Sequence, residues 1–199
     1  MYQLVISHLL LFLLSCWLPV AEINRNVTVI IEPGSYLKIN GSTNVNHFSC
    51  SYTGEIGQDT MHVGALQKSD GTITLDRAIL NVEVNRFDCG NQVMNKDFRS
   101  LLEYEEHPML RLHILSIAMP EKGQDQHTAM AKVRFTIAGE DETYQLPVNL
   151  VGEQKANIYR GEKVLDITDF QLTPPRKFLG MIVVDEEVVI DFQLNLRLI

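Results

Sequence analysis

The segment N-R-F-D-C-G-N-Q-V-M-N-K-D-F-R-S-L-L-E-Y-E-E-H-P, from Asn85 to Pro108, decides the fold. It is the one part of the chain after residue 21 that has a helical pattern. Asn91 is a suitable N-cap, and the apolar residues after it recur at helical spacing: Val93, Met94, Phe98, Leu101 and Leu102. Strand-like patterns flank the segment on both sides. A single helix with one apolar face must therefore pack on a sheet or close the end of a barrel.

The flanking segments alternate between apolar and polar residues, which predicts β-strands. The clearest is Val188–Leu198, where every second residue is apolar. We predict further strands over Thr43–Tyr52, Thr72–Val84, Met109–Ile117, His127–Ala138 and Thr143–Val151. The apolar phase changes inside Thr43–Tyr52, which indicates a bulge or a bend. Pro147 indicates a strand edge or a bulge in the last segment.

These patterns predict an all-β fold. We count about eight strands and find no strand–helix–strand repeat. Long alternating strands joined by tight turns favour an antiparallel sheet that closes on itself, with the one short helix near an end of the barrel. Closure would also remove the long free edge that Val188–Leu198 would leave in an open sheet.

Length and charge exclude several classes of function. The chain has 199 residues, which suits one domain of ordinary size. Its 25 acidic and 17 basic residues give a net charge of -8. A nucleic-acid-binding protein would show a basic surface, so we predict no nucleic-acid partner. Electrostatic binding to an anionic membrane is disfavoured for the same reason.

The N-terminal segment has the features of an export signal. Residues 1–21 contain no Asp, Glu, Lys or Arg, and Leu4–Leu14 is almost continuously apolar. This length matches a signal-peptide core and is too short to span a bilayer comfortably. We therefore expect cleavage after Ala21, a mature domain over residues 22–199, and a periplasmic location. As an alternative, Leu13–Cys16 resembles a bacterial lipobox, in which Cys16 would carry the lipid that anchors the protein to a membrane.

Two cysteines remain after the signal, Cys50 and Cys89. An even number in an exported chain predicts one disulfide between them. The alternative is two buried free thiols. No C-x-x-C motif is present, so neither zinc binding nor redox catalysis is indicated.

The motifs of common enzymes are missing from the sequence. It contains no G-x-S-x-G elbow, phosphate-binding loop or dinucleotide fingerprint. The six histidines are scattered, with no H-x-H or H-E-x-x-H. The adjacent acids Glu105–Glu106 and Glu186–Glu187 would point apart on a helix end or strand. We predict no enzyme, no catalytic residues, no metal site and no cofactor.

Several segments, taken in order, resemble the YceI-like family, which consists of lipocalin-like barrels and includes polyisoprenoid-binding periplasmic proteins. The resemblance lies in Gly41–Phe48, Leu75–Leu102, His107–Met109, Gly139–Val151, Asp169–Phe170 and Asp185–Leu196. The chain departs from the family pattern at Cys50 and Cys89. It also has Glu140-Asp141-Glu142 where the family typically has a His-Gly-Val-Thr-like turn.

The resemblance implies an extended lipocalin-like barrel whose apolar interior accepts a lipid or a long isoprenoid. We expect the interior to be lined by Leu80, Val82, Val84, Leu112, Ile114, Val133, Phe135, Ile137, Leu146, Val148, Ile190, Phe192 and Leu194. Met94, Phe98 and Leu102 would form a lid. As an alternative, the same residues make a filled core, and the protein is a structural or interaction module of the cell envelope. The sequence specifies no oligomeric state.

Overall fold

The structure, a computed structural model, describes residues 23–56, 60–68, 70–120, 128–151, 157–177 and 181–199. The predicted signal over residues 1–21, including Cys16, lies outside the described residues, as does His127 at the start of a predicted strand. Within the described ranges, no helix has both the length and the apolar character that a membrane crossing requires.

The described chain is mostly β-strand, with one α-helix and two short 3-10 turns at Val84–Arg86 and Ile167–Phe170. The elements are β1 (Ile23–Ile31), β2 (Tyr36–Thr43), β3 (His47–Tyr52), β4 (Met61–Gln67), β5 (Thr72–Asp76), β6 (Ile79–Glu83), β7 (Phe87–Asp88), α1 (Gln92–Leu101), β8 (Met109–Ala118), β9 (Thr128–Ile137), β10 (Glu140–Val151), β11 (Asn157–Asp166), β12 (Arg176–Lys177) and β13 (Ile182–Leu198).

Eight strands form a closed antiparallel ring in the order β1-β4-β5-β8-β9-β10-β11-β13. The ring closes where β13 pairs with β1, with Val29 opposite Leu198 and Ile31 opposite Leu196. The predicted all-β antiparallel barrel of about eight strands is therefore confirmed. Its closure leaves neither edge of β13 free in this part of the barrel.

The barrel extends beyond this ring because β13 is 17 residues long. After the turn at Pro33–Gly34, β2 continues along the same edge of β13 that β1 occupies. Strands β3 and β7 extend the sheet from β2, while β6 pairs with β8. The 3-10 turn at Val84–Arg86 connects β6, which pairs with β8, to β7, which pairs with β3. The covalent chain therefore links β8 to β3 at this end of the barrel.

Two predicted strands are interrupted in the structure. The phase change within Thr43–Tyr52 marks a hairpin turn between β2 and β3, where the Thr43 hydroxyl accepts hydrogen bonds from the Val45 and Asn46 amides at 3.2 and 2.9 Å. The predicted strand Thr72–Val84 breaks at Arg77, whose φ is 60°. Both resulting strands, β5 and β6, pair with β8. The bulge or bend predicted inside Thr43–Tyr52 is thus a complete hairpin turn, and the prediction of one continuous strand over Thr72–Val84 was wrong.

The predicted disulfide between Cys50 and Cys89 is present. Cys50 lies on β3 and is fully buried, and Cys89 lies just before α1 and is 6% exposed. The bond therefore fixes the start of the helix to the extended part of the barrel. It closes a loop with a sequence separation of 39 residues.

We expect the double variant Cys50→Ala/Cys89→Ala to lose about 3–4 kcal/mol of unfolding free energy, because the bond restricts the unfolded chain. Chemical denaturation with and without reductant measures this loss. Reductant should destabilise the parent protein and leave the double variant unchanged. Alkylation of both cysteines in the folded protein without reductant would contradict the bond.

Strands β10 and β11 separate towards the α1 end of the barrel. They pair only through Asn149–Arg160, Leu150–Tyr159 and Val151–Ile158. The ladder between β9 and β10 runs unbroken through Pro147, so the backbone N–H that proline lacks is missing on the edge facing β11. The predicted irregularity at Pro147 is therefore the point where β10 and β11 come apart.

Side-chain contacts stabilise the region where β10 and β11 separate. The Tyr144 hydroxyl on β10 donates a hydrogen bond to Asp169 Oδ2 at 2.5 Å. The Lys163 ammonium on β11 lies 4.9 Å from the centroid of the Tyr144 ring. The Tyr144 ring also lies 6.3 Å from the Phe170 ring, centroid to centroid. Burial, the Asp169 hydrogen bond and the nearby carboxylates raise the pKa of Tyr144 well above its usual value.

Tyr144→Phe should lower the unfolding free energy by about 1 kcal/mol at pH 8, because it removes one hydrogen bond. The raised pKa means that the stabilising contribution is complete below the unfolded pKa of about 10 and is lost as the pH rises further. The stability difference between parent and variant should thus shrink above pH 10 in denaturation series. The other tyrosines titrate in both the parent and the variant, so their contributions to the stability difference cancel. A pH-independent difference would contradict this account.

Candidate ligand cavity inside the barrel

An internal cavity of about 80 Å³ lies beneath α1. Its walls come from β2, β3, β8, β9, β11 and β13, from α1, and from the 3-10 turn at Ile167–Phe170. All but one of its lining residues are apolar, the exception being Arg111. They are Leu37, Ile39, Phe48, Phe98, Leu101, Leu102, Leu110, Arg111, Leu112, Phe135, Ile137, Leu165, Ile167, Phe170, Leu172, Val184, Val188 and Ile190.

The predicted interior residues fall into two groups. Six line the cavity: Phe98, Leu102, Leu112, Phe135, Ile137 and Ile190. The others belong to the packed core around it: Leu80, Val82, Val84, Met94, Ile114, Val133, Leu146, Val148, Phe192 and Leu194. The structure thus brings all sixteen into one apolar interior. A ligand-binding role for any of them stays a prediction.

Several cavity residues were not predicted from the sequence. Leu37 and Ile39 lie on β2, in a short alternating segment whose place in the barrel the pattern does not give. Ile167 and Phe170 lie in a 3-10 turn, which follows neither strand nor helix periodicity. Asp166 caps this turn by accepting a hydrogen bond from the Thr168 amide at 2.8 Å. This local capping motif was the signal available in the sequence.

Helix α1 is fixed at its N-terminus by a small polar network. As predicted, Asn91 is the N-cap, and its side chain accepts a hydrogen bond from the Met94 amide at 2.9 Å. The Asn95 side chain accepts from the Cys89 amide at 2.6 Å and donates to Asp88 at 3.1 Å. The hydrogen bond that Asn95 donates, together with one from the Gly90 amide, lowers the pKa of Asp88. The helix start is therefore tied to β7 and to the disulfide.

The face of α1 that carries Phe98, Leu101 and Leu102 covers the cavity. The Phe98 ring lies 5.1 Å from the Phe87 ring of β7, centroid to centroid. Phe87 in turn packs edge-to-face on Tyr52, at 5.3 Å. Val93 is 72% exposed, so the prediction that it belongs to the apolar face was wrong.

The volume of the cavity limits what it holds in this conformation. An engineered apolar cavity of about 150 Å³ binds benzene, which has six carbons, and otherwise stays dry. The cavity here, at about 80 Å³, is roughly half that size. It therefore accepts apolar groups of fewer than six carbons unless side chains move. A long hydrocarbon chain requires an expanded interior.

Comparisons with known proteins agree with this architecture. BcnA from Burkholderia cenocepacia aligns with a TM-score of 0.60 at 18% identity, covering 82% of this chain and 96% of the other. A polyisoprenoid binding domain from Saccharophagus degradans, implicated in plant cell wall breakdown, aligns with a TM-score of 0.53 at 13% identity, covering 86% and 97% of the two chains. At these identities the likeness shows a shared fold.

A search of curated proteins gave no match. The sequence model of the YceI-like domain matches residues 36–196, from the start of β2 almost to the end of β13. This range includes the helix, the disulfide and every residue that lines the cavity. Because the match covers most of the chain, the protein belongs to the YceI-like family.

Proposed function

We propose that this protein is an exported, non-enzymatic binding protein whose barrel holds a lipid or isoprenoid-like apolar ligand. The observation that carries the proposal is the apolar cavity beneath α1. Membership of the YceI-like family supports it, as does the similarity in fold to a polyisoprenoid binding domain. The Cys50–Cys89 disulfide supports export, because such bonds persist in oxidising compartments such as the periplasm.

The size of the cavity indicates how such binding would work. Burying one methylene contributes about 0.8 kcal/mol, and micromolar affinity corresponds to about 8 kcal/mol. Roughly ten methylenes are therefore needed even before the costs of binding are subtracted. The cavity has room for fewer than six carbons, so binding of a long chain includes displacement of interior side chains.

The small volume also favours a second function. A barrel filled by its own side chains would be a structural or interaction module that works through its outer surface. Attachment of lipid to Cys16 would place such a module at a membrane. Metabolic labelling with a fatty acid, compared between the parent protein and Cys16→Ala, tests the attachment.

Val188 and Val189 offer a matched pair for testing ligand binding, because they are neighbours on β13 and only Val188 lines the cavity. The larger side chain of Val188→Trp fills the space of two or three methylenes. The ligand then loses roughly 2 kcal/mol of burial, so binding should weaken more than tenfold. Val189→Trp should retain the ligand. The measurement is native mass spectrometry of protein purified without detergent, followed by extraction of the bound mass into organic solvent.

Two outcomes would contradict the proposed binding function. The first is a clean protein mass that stays unchanged when fatty acids or isoprenoid lipids are added. The second is equal ligand retention in Val188→Trp and Val189→Trp, with both variants folded by circular dichroism. The first result would favour the filled barrel.

A further inference from the structure

Large apolar side chains are exposed at the end of the eight-stranded ring that lies away from α1. We call this end the ring rim: β8, β10 and β13 end there, and β9 and β11 begin there. These five strands are consecutive in the ring. The exposed apolar residues therefore lie along one arc of the rim, and they are Met119, Met130, Leu150, Val151, Leu198 and Ile199.

Paired backbone holds part of this arc in place. Ile199 and Thr28 exchange backbone hydrogen bonds of 2.9 and 3.0 Å, and yet the Ile199 side chain is 70% exposed. Leu198 pairs with Val29 and is 50% exposed. The rim thus presents apolar side chains to solvent from an ordered backbone. A contiguous exposed apolar group is typical of a surface that contacts a membrane or another protein.

The net charge of -8 is distributed unevenly between the two ends of the barrel. Towards the α1 end, five exposed basic residues, Lys38, Arg86, Lys96, Arg111 and Arg134, are outnumbered by exposed acidic residues. The acidic residues are Asp88, Glu103, Glu105, Glu106, Asp141, Glu142, Asp169, Asp185, Glu186 and Glu187.

The ring rim has a different balance of charge. Arg25, Lys68 and Arg160 are exposed there. Of the acidic residues described at the rim, Asp70 is exposed, and Glu32 forms an ion pair with Arg197 at 2.8 Å. Residues 22, 121–127 and 152–156 adjoin the rim in sequence and lie outside the described residues. They contain two lysines and four acidic residues, so the rim is close to neutral.

Apolar side chains with basic residues among them match the surface of a phospholipid bilayer. The apolar groups suit the boundary between head groups and acyl chains, and the basic groups suit the lipid phosphates. The α1 end also exposes Val45, Val93 and Met181, by 66%, 72% and 69%. Its excess of carboxylates would be repelled by the phosphates, which disfavours docking of that end.

The chain that precedes β1 joins the barrel at the same rim. β1 begins at Ile23, which lies opposite Gln67 at the end of β4. Cys16 lies seven residues before Ile23. A lipid attached to Cys16 would therefore hold the rim within roughly 25 Å of the bilayer, which is the reach of seven extended residues. Such an anchor would direct the rim towards the membrane and α1 away from it.

We propose that the ring rim is a docking surface for a phospholipid bilayer. Its apolar side chains enter the interfacial region of the bilayer, and Arg25, Lys68 and Arg160 contact the lipid phosphates. The α1 end, with the cavity, faces away from the membrane. This inference goes beyond the proposed function and requires no ligand in the barrel.

Flotation with vesicles of phosphatidylethanolamine and phosphatidylglycerol tests the docking. All proteins carry Cys16→Ala, which removes lipid at that residue, and are purified from the periplasm without detergent. Met119→Glu/Ile199→Glu should weaken vesicle binding by roughly tenfold or more, because it places two charges against the acyl boundary. Val45→Glu/Val93→Glu adds the same two charges at the α1 end and should weaken binding by less than about twofold.

The four substituted side chains are comparably exposed, from 54% at Met119 to 72% at Val93. Both variants should therefore fold, which circular dichroism checks. Equal vesicle binding by the two variants would overturn the docking surface, as would a parent protein that does not float with the vesicles. A dimer that only Met119→Glu/Ile199→Glu separates, without vesicle binding, would assign the rim to a second copy of the chain and overturn the proposal.

A fluorescent label tests the orientation. A nitrobenzoxadiazole group on Met119→Cys should brighten and shift to shorter wavelength when vesicles are added, because it enters a less polar environment. The same group on Val93→Cys should not respond, and the disulfide protects Cys50 and Cys89 from the reagent. A response at Val93 without one at Met119 would overturn the proposal. Vesicle binding at the rim by a protein that retains no ligand would support the docking and contradict only the proposed ligand binding.

Discussion

Backbone pairing along β13 is the constraint on which the rest of the structure depends. One edge of this strand pairs with β11, and the other pairs first with β2 and then with β1. A strand of 17 residues spans roughly 55 Å at about 3.3 Å per residue. The same strand therefore closes the eight-stranded ring at one end and carries the extended part of the barrel at the other. The cavity lies in that extended part, with Val184, Val188 and Ile190 of β13 in its wall.

Helix α1 depends on this framework for its own stability. An isolated helix of 10 residues is marginal in water, because the cost of nucleation is spread over few hydrogen bonds. Here the Asn91 cap, the Asn95 network and the disulfide fix its first turn, and Phe98 packs on Phe87. The disulfide therefore fixes the same helix whose apolar face covers the cavity.

Sequence patterns were sufficient for the parts of the fold that repeat. The alternation in Val188–Leu198, the helical spacing around Phe98 and the even cysteine count each led to an element that the structure contains. The patterns failed where geometry depends on distant residues. The break at Arg77 needs a positive φ at a residue that is not glycine, and the strands on both sides of it are held by pairing with β8. The cavity lining at Leu37 and Phe170 arises because β2 and a 3-10 turn meet across the barrel, which no local period encodes.

The cavity is too small for a long isoprenoid chain, and this affects what binding such a chain would require of the interior. A close-packed core resists the loss of contacts, so a chain that enters must replace side-chain packing with its own. The net gain in binding is then smaller than the burial of its methylenes alone would give. The unbroken ladders β9–β10 and β11–β13 give the barrel its shape, and their paired backbones resist displacement more than the side chains between them do.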